Sequence, residues 1–383
     1  MKNSDVFIMI PVSGALTEGK TDKNEYTLKY NIILTETSEY ECDKKFADTI
    51  KREEIGKIQI AYMSDEYEAD MDDWIDAYCC YGYQKFSDLG LLQIFIPSCD
   101  KEDSQIGDIV FSGHLRIRNK NIDYSIDEYA KYLGLCLSGK IRMVYCNSIE
   151  SKSDEQIGYL LAGETSCSEH ADYRIRTDKL EELSANNISK YDFYELYASQ
   201  RSIVYLLRGF GDNFSINMEK EALLIYICEI AILQNAAISR INAQIVDELM
   251  QNSNISASKT LKLQVEFGKT ILLWDNSIYN YYLSQELSND IVKAFGTDKM
   301  LEEYSRNSKH IEQIAALKSG IASELEGKIL NILAFILSIS ELVQLVKSII
   351  AYSRGHLAEV GVSGGGIVLL IIVLALIRKR TKR

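Results

Sequence analysis

The stretch that most constrains this chain is Val360 to Ile377. It reads VGVSGGGIVLLIIVLALI, eighteen residues without a charge, and RKRTKR follows it, five basic residues in six. As a helix it spans about 27 Å at roughly 1.5 Å per residue, close to the hydrocarbon thickness of a bilayer, about 30 Å. The core helix of a soluble protein can be equally apolar. The basic run that follows favours a membrane span.

A second apolar segment precedes it, Ile329 to Ile350 (ILNILAFILSISELVQLVKSII), with Glu341 and Lys347 as its charges. Taken alone it fits an interfacial amphipathic helix, a core helix or a crossing. Topology favours the crossing. Lys/Arg-rich flanks stay cytoplasmic, so Arg378, Lys379, Arg380, Lys382 and Arg383 place the C-terminal tail inside. The N-terminal part is also expected inside: its first apolar run, Val6 to Val12, is short, follows Asp5 and contains Pro11, unlike a secretory signal. Two ends on one side need an even number of crossings, and Ala351 to Glu359 is short enough for the turn of a hairpin. The expected placement is the inner membrane, two-pass, with both termini cytoplasmic.

The net charge is −13 although the tail is basic. Nucleic-acid binding is therefore not expected, because phosphate contacts need a basic surface. The eight cysteines (42, 79, 80, 99, 136, 146, 167 and 228) show no CxxC and no regular spacing, which reads as reduced thiols rather than a disulfide framework. The vicinal pair Cys79–Cys80 reads as ordinary packing.

Residues 1–215 read as a mixed α/β sensor domain. Strands are expected at VFIMIPV, Thr27–Glu36, Lys57–Met63, Leu91–Pro97, Ser104–Arg118 and Lys140–Cys146, from alternation and β-branched content. Helices are expected near Asp65–Tyr78 and Ser125–Leu137. No proline follows Pro97, so nothing interrupts long helices beyond it. Glu219–Met250, Ser256–Glu286 and Asp298–Leu325 read as three of them, the last running on into the first span. The expected division is an α/β cytosolic domain (1–215), a long α-helical stalk (216–328) and a C-terminal two-helix transmembrane hairpin with a basic cytosolic tail (329–383).

Candidate chemistry is sparse. The acidic run Asp65, Glu66, Glu68, Asp70, Asp72, Asp73 and Asp76 offers oxygen ligands to Mg²⁺ or Ca²⁺, but without the glycine and glutamate of an EF-hand it reads as the solvated face of a helix whose other face carries Trp74, Ile75 and Tyr78. His114, His170, His310 and His356 are far apart and form no metal spacing. No GxSxG, Walker A or GxGxxG occurs. No enzyme, catalytic residue or metal ligand is expected, and no cofactor is identified. Tyr194, Tyr197, Arg201 and Arg208 lie in a tyrosine-rich cluster. They would suit a nucleotide-like small molecule through stacking and guanidinium contacts, or simply pack a strand–helix junction.

In the first span Asn331, Ala334, Ser338, Glu341 and Ser348 recur at helical steps with Gln344 one turn beyond Glu341, while Ile332, Phe335, Ile336, Ile339, Val343 and Val346 cover the other face. An ionisable residue costs several kcal/mol against lipid, so Glu341 should face protein or water. Asn331, Ser338, Glu341, Gln344 and Ser348 would line a pore if several copies assembled; otherwise the stripe packs on the second span.

In its order of elements the chain resembles the CorA-like superfamily of two-pass membrane channel proteins. The stretches that carry the resemblance are Lys309–Leu337 (a stalk helix continuous with a span), the short loop Ala351–Glu359 and the tail Arg378–Arg383. The resemblance implies a ligand-gated, homo-oligomeric ion channel, with a homopentamer as the implied assembly. The Gly-Met-Asn tripeptide of the magnesium channels is missing: the equivalent region reads IIAYSRGH, and Arg354 stands at that mouth. No family metal ligand carries over. CorA-like proteins without the tripeptide also serve as membrane effectors in bacterial antiviral defence, including type III CRISPR-associated systems, where a nucleotide messenger acts on the cytosolic domain. A non-conducting membrane-anchored receptor or scaffold is the competing reading.

Overall fold

In the computed structural model, the described residues run from 4 to 309 with gaps at 23, 64–73, 86, 100–102, 112, 148–151, 163–174, 208–213, 252–261, 263–264, 275–277; beyond them come 313, 327–328, 330–332, 334 and 338. The chain divides into two compact units, one of residues 1–254 with 261–309, the other of 255–260 with 310–383.

The first unit is organised by its first strand. β1 (Ser4–Gly14) alternates Val6, Ile8, Ile10 and Val12 on one face with Phe7 and Met9 on the other, and none of the six exceeds 1% exposure. A strand apolar on both faces belongs in the middle of a covered sheet. It lies there, antiparallel to β4 (Leu89–Cys99) and to β8 (Arg142–Asn147). Beyond β4 come β3 (Ile75–Gln84), β2 (Ile50–Tyr62), β5 (Leu115–Asn119) and β6 (Ile122–Ser125); beyond β8 come β10 (Ser202–Leu207) and β9 (Tyr194–Ala198). The short β7 (Leu135–Leu137) pairs with the end of β1. Among these pairings only β8 with β10 is parallel. The β5–β6 hairpin turns through Lys120 and Asn121, both at positive φ (49° and 63°), the geometry that matches the twist of its strands.

Helices cover both faces. On the face of Phe7 and Met9 lie α1 (Glu25–Glu41) and the long α7 (Phe214–Gln251), joined by α8 (Tyr282–Ala294), whose Leu287, Ile291 and flanking Phe295 complete that core. On the face of Ile8 and Ile10 lie α3 (Asp103–Phe111), α4 (Ile126–Tyr132), α5 (Asp154–Ala162) and α6 (Thr177–Ser184); α2 (Lys44–Ala47) is a single turn after α1. Gly158 lets α5 approach α6, since a Cβ there would lie 2.7 Å from Leu180. The N-terminal sheet domain with helices following is therefore present as expected.

Several elements differ from the sequence reading. Thr27–Glu36 is helix, not strand: Asn24 caps α1 by accepting from the Tyr26 N–H, and Leu28 and Ile32, whose apolar character suggested a strand, stand on its exposed side. Ser104–Arg118 is a helix and then a strand, α3 and β5, parted near Gly113 (φ +81°). Trp74, Ile75 and Tyr78 lie at and in a strand, β3, not on an amphipathic helix; the adjacent Cys79 and Cys80 point into opposite cores, as ordinary packing requires. The helix expected over Ser125–Leu137 stops at Tyr132, and Gly134 (φ +85°) turns the chain into β7. Ser256–Glu286 is not one helix: Ile271–Trp274 is a 3₁₀ turn and α8 starts only at Tyr282. Residues 297–309 are helical, as expected for the start of the third long helix.

The larger correction concerns α7. Its length was legible, but it is no free stalk: Glu221–Asp247 has a mean hydropathy of 1.7 in its most apolar window, 89% of which is buried. Among the described residues it is the one helix long and apolar enough to cross a membrane, and its apolar surface is taken up by the sheet. The compact unit accordingly runs past residue 215 to 309.

Candidate functional site

Within the tyrosine–arginine cluster, Tyr194 and Tyr197 do not share a face. β9 alternates, so residues three apart point to opposite faces. Tyr194 enters the α7-side core and Tyr197 the other, at 5% and 7% exposure. The Tyr194 hydroxyl accepts from the Lys190 N–H (3.2 Å), and that of Tyr197 donates to Glu195 (3.2 Å). Arg201 is exposed in the β9–β10 turn, its guanidinium carbon 5.8 Å from the Phe111 ring. Arg208 lies outside the described residues.

Of the first-span stripe, Asn331, Ala334 and Ser338 are described: all three are helical, Asn331 and Ser338 are exposed, and the Ser338 hydroxyl donates to the Ala334 carbonyl at 2.8 Å. Glu341, Gln344 and Ser348 lie outside the described residues, as does the second span. So do His170, His310, His356 and the acidic run up to Asp73. Asp76, on β3, is paired with Lys57 at 2.6 Å, and that partner holds its carboxyl below the ordinary range. No group of His, Cys, Asp and Glu able to hold a metal ion occurs among the described residues.

The most distinctive chemistry lies under α7. Glu229 is the only charge between Glu221 and Arg240. It forms an ion pair with Arg52 of β2, their side chains 2% and 5% exposed, and Gln93 of β4 donates to the same carboxylate. Gly82 of β3 leaves room beside it; a Cβ there would stand 4.0 Å from the Glu229 carboxylate. Tyr226 and Tyr30 flank the pair, with the Arg52 guanidinium carbon 5.8 Å from the Tyr226 ring. Burial opposes the charge on Arg52, but Glu229 outweighs it and holds the guanidinium protonated. Burial, and Glu229 after it, push the Tyr30 phenol well up. A buried ion pair is weak evidence for net stability, because desolvation offsets attraction. It does fix one rotation and register of α7 on the sheet, since any other setting strands a charge.

A second polar line follows on the same helix. Arg142 of β8, 2% exposed, donates to Lys140 O (2.9 Å) and to Asn235 Oδ1 (2.9 Å), and its guanidinium carbon lies 4.8 Å from the Phe295 ring. Burial, with Arg201 adding to it, lowers its pKa to about 10. Phe295 caps the C-terminus of α8, where the helix dipole favours a cation. Asn235 in turn donates to Thr297 Oγ1 (2.9 Å), and Asn242 to the Met300 carbonyl (2.9 Å). The sheet is thus bonded through α7 to the start of helix 297–309.

Near the far end of α7 a groove lies between Ser87–Leu89, Arg240, Gln244, Glu266, Lys269 and Thr270. Its charges are matched within it, Arg240 with Asp88 at 2.6 Å and Lys269 with Glu266 at 2.7 Å. These centres were missed in the sequence. A lone glutamate inside an apolar helix was the available signal for Glu229, since a buried carboxylate demands a cation; nothing local identified Arg52. No family model, no curated protein and no solved structure matches the chain.

Proposed function

We propose that this chain is a two-pass membrane protein whose copies assemble into a CorA-like channel or pore, governed by a ligand-responsive N-terminal sheet domain on the cytoplasmic side. The observation that carries the reading is in the C-terminal sequence: eighteen uncharged residues, Val360–Ile377, a basic run after them, and before them a segment that places Glu341 in a polar stripe. A carboxylate in a span is retained where it meets water or protein, and a ring of identical helices supplies both. The burial of α7 supports the division of labour, because the other long apolar helix is consumed by the sheet. The amide bonds from α7 to Thr297 and Met300 give the domain a hold on helix 297–309, which precedes the first span in sequence. A bound ligand would act by biasing two settings of that hold.

The test is ion flux through purified protein in liposomes. Glu341→Ala is expected to change conductance or selectivity while native mass spectrometry finds the same multi-subunit particle. Unchanged flux would remove Glu341 from the pore, and a monomer with no flux would turn the reading to an anchored receptor.

A further inference from the structure

We propose that Arg142 is the seat of a small oxyanion, a phosphate or carboxylate group, and that the bound anion loosens the hold of α7 on helix 297–309. The fold buries two guanidinium groups beneath α7, and they are treated differently. Arg52 turns its Nε and Nη2 edge to the two carboxylate oxygens of Glu229. Arg142, 2% exposed, turns Nη2 to a single amide oxygen, Asn235 Oδ1, at 2.9 Å. Its Nη1 donates to Lys140 O at 2.9 Å. Its buried Nε has no acceptor among the described residues, and neither of its hydrogen bonds is to a carboxylate.

A charge held out of water without a counter-charge is costly. The relief at hand is partial. The Phe295 ring, 4.8 Å from the guanidinium carbon, presents π density, and the C-terminus of α8 a fractional negative charge. Arg201, whose carbonyl accepts from the neighbouring Met143 N–H at 3.0 Å, adds a like charge. Burial first, and Arg201 after it, lower the Arg142 pKa to about 10, whereas Glu229 outweighs burial at Arg52.

An oxyanion supplies what this edge lacks, because two oxygens take Nε and Nη2 together in the geometry that Glu229 adopts on Arg52. Access is through the joint that follows α8. Phe295 covers the guanidinium, and the next residue, Gly296, stands at φ +70°, where glycine turns without strain. The anion displaces Asn235 Oδ1 from Nη2. The amide is then no longer fixed, and its bond to Thr297 Oγ1 weakens with it. As the ligand of the proposed channel, the anion rests on the functional reading above; as a site in the domain, it does not.

The experiment is hydrogen exchange of the full chain in detergent at pH 7, in sodium phosphate against sodium chloride of equal ionic strength. Wild type is compared with Arg142→Gln and Asn235→Asp. Phosphate should quicken exchange over residues 297–309 severalfold in wild type and in neither variant. Its general effect as an excluded salt has the opposite sign. Asn235→Asp builds the missing counter-charge into the site, and the Thr297 hydroxyl can donate to the new carboxylate. This variant should raise Tm by roughly 2–4 °C, and it still decides the matter if Arg142→Gln fails to fold. Wild-type exchange that ignores phosphate, or the same quickening in Arg142→Gln, would overturn the site. So would a Tm of Asn235→Asp at or below wild type, because Arg142 would then already be balanced. If phosphate acts as expected while liposomes show no flux with or without it, the channel reading fails and the anion site stands.

Discussion

Two long apolar segments compete for the role of membrane span, and their polar residues separate them. α7 carries Glu229, Gln234, Asn235 and Asn242 within its apolar run, each with a partner in the fold: Arg52, the Leu273 carbonyl, Thr297 and the Met300 carbonyl. Val360–Ile377 carries one hydroxyl, Ser363, and no carboxylate or amide. A helix whose polar groups need partners at fixed positions is a core helix. A segment that carries almost none makes no such demand, which is what hydrocarbon requires, since unsatisfied groups there are costly. Hydropathy alone does not see this difference.

The contrast can be broken most sharply at Glu229. Glu229→Ala leaves Arg52 buried without a counter-charge and should lower the unfolding free energy by about 3–5 kcal/mol, read from urea or thermal unfolding of the full chain. Arg52→Met with Glu229→Leu should recover most of that loss. An unchanged midpoint for the single variant would mean that α7 does not depend on the sheet. A smaller effect is expected at Asn235. Asn235→Ala removes the bonds to Arg142 and Thr297 and should cost about 1–3 kcal/mol. Its distinguishing mark is local: hydrogen exchange should quicken over residues 297–309 while β1 remains protected. Equal exchange in both regions would show that the amide line is not what holds that helix.

The sequence disclosed what periodicity governs. β1, β2, β4 and β8 were legible because Val6–Val12, Lys57–Met63, Leu91–Pro97 and Lys140–Cys146 are runs of apolar and β-branched residues, many alternating, and α7 because no glycine or proline interrupts it. α1 was misread because its exposed Leu28 and Ile32 blur the helical stripe, and the Asn24 cap was the signal passed over. β3 was misread because a dense acidic run precedes it and masks the switch at Ile75. The site was less legible still. Arg52 and Glu229 are separated by 177 positions, and Arg142 and Asn235 by 93, so only the fold pairs them. Tyr194 and Tyr197 looked like a cluster because they are close in sequence, yet strand geometry sends them apart.

The central claim is that lipid meets the C-terminal segments and not α7. A photoactivated carbene probe confined to bilayer hydrocarbon, applied to the full chain in liposomes and mapped by peptide mass spectrometry, tests it directly. The account predicts labels within 329–350 and 360–377 and none within 221–247. Labels concentrated in 221–247, with the C-terminal segments clean, would contradict it.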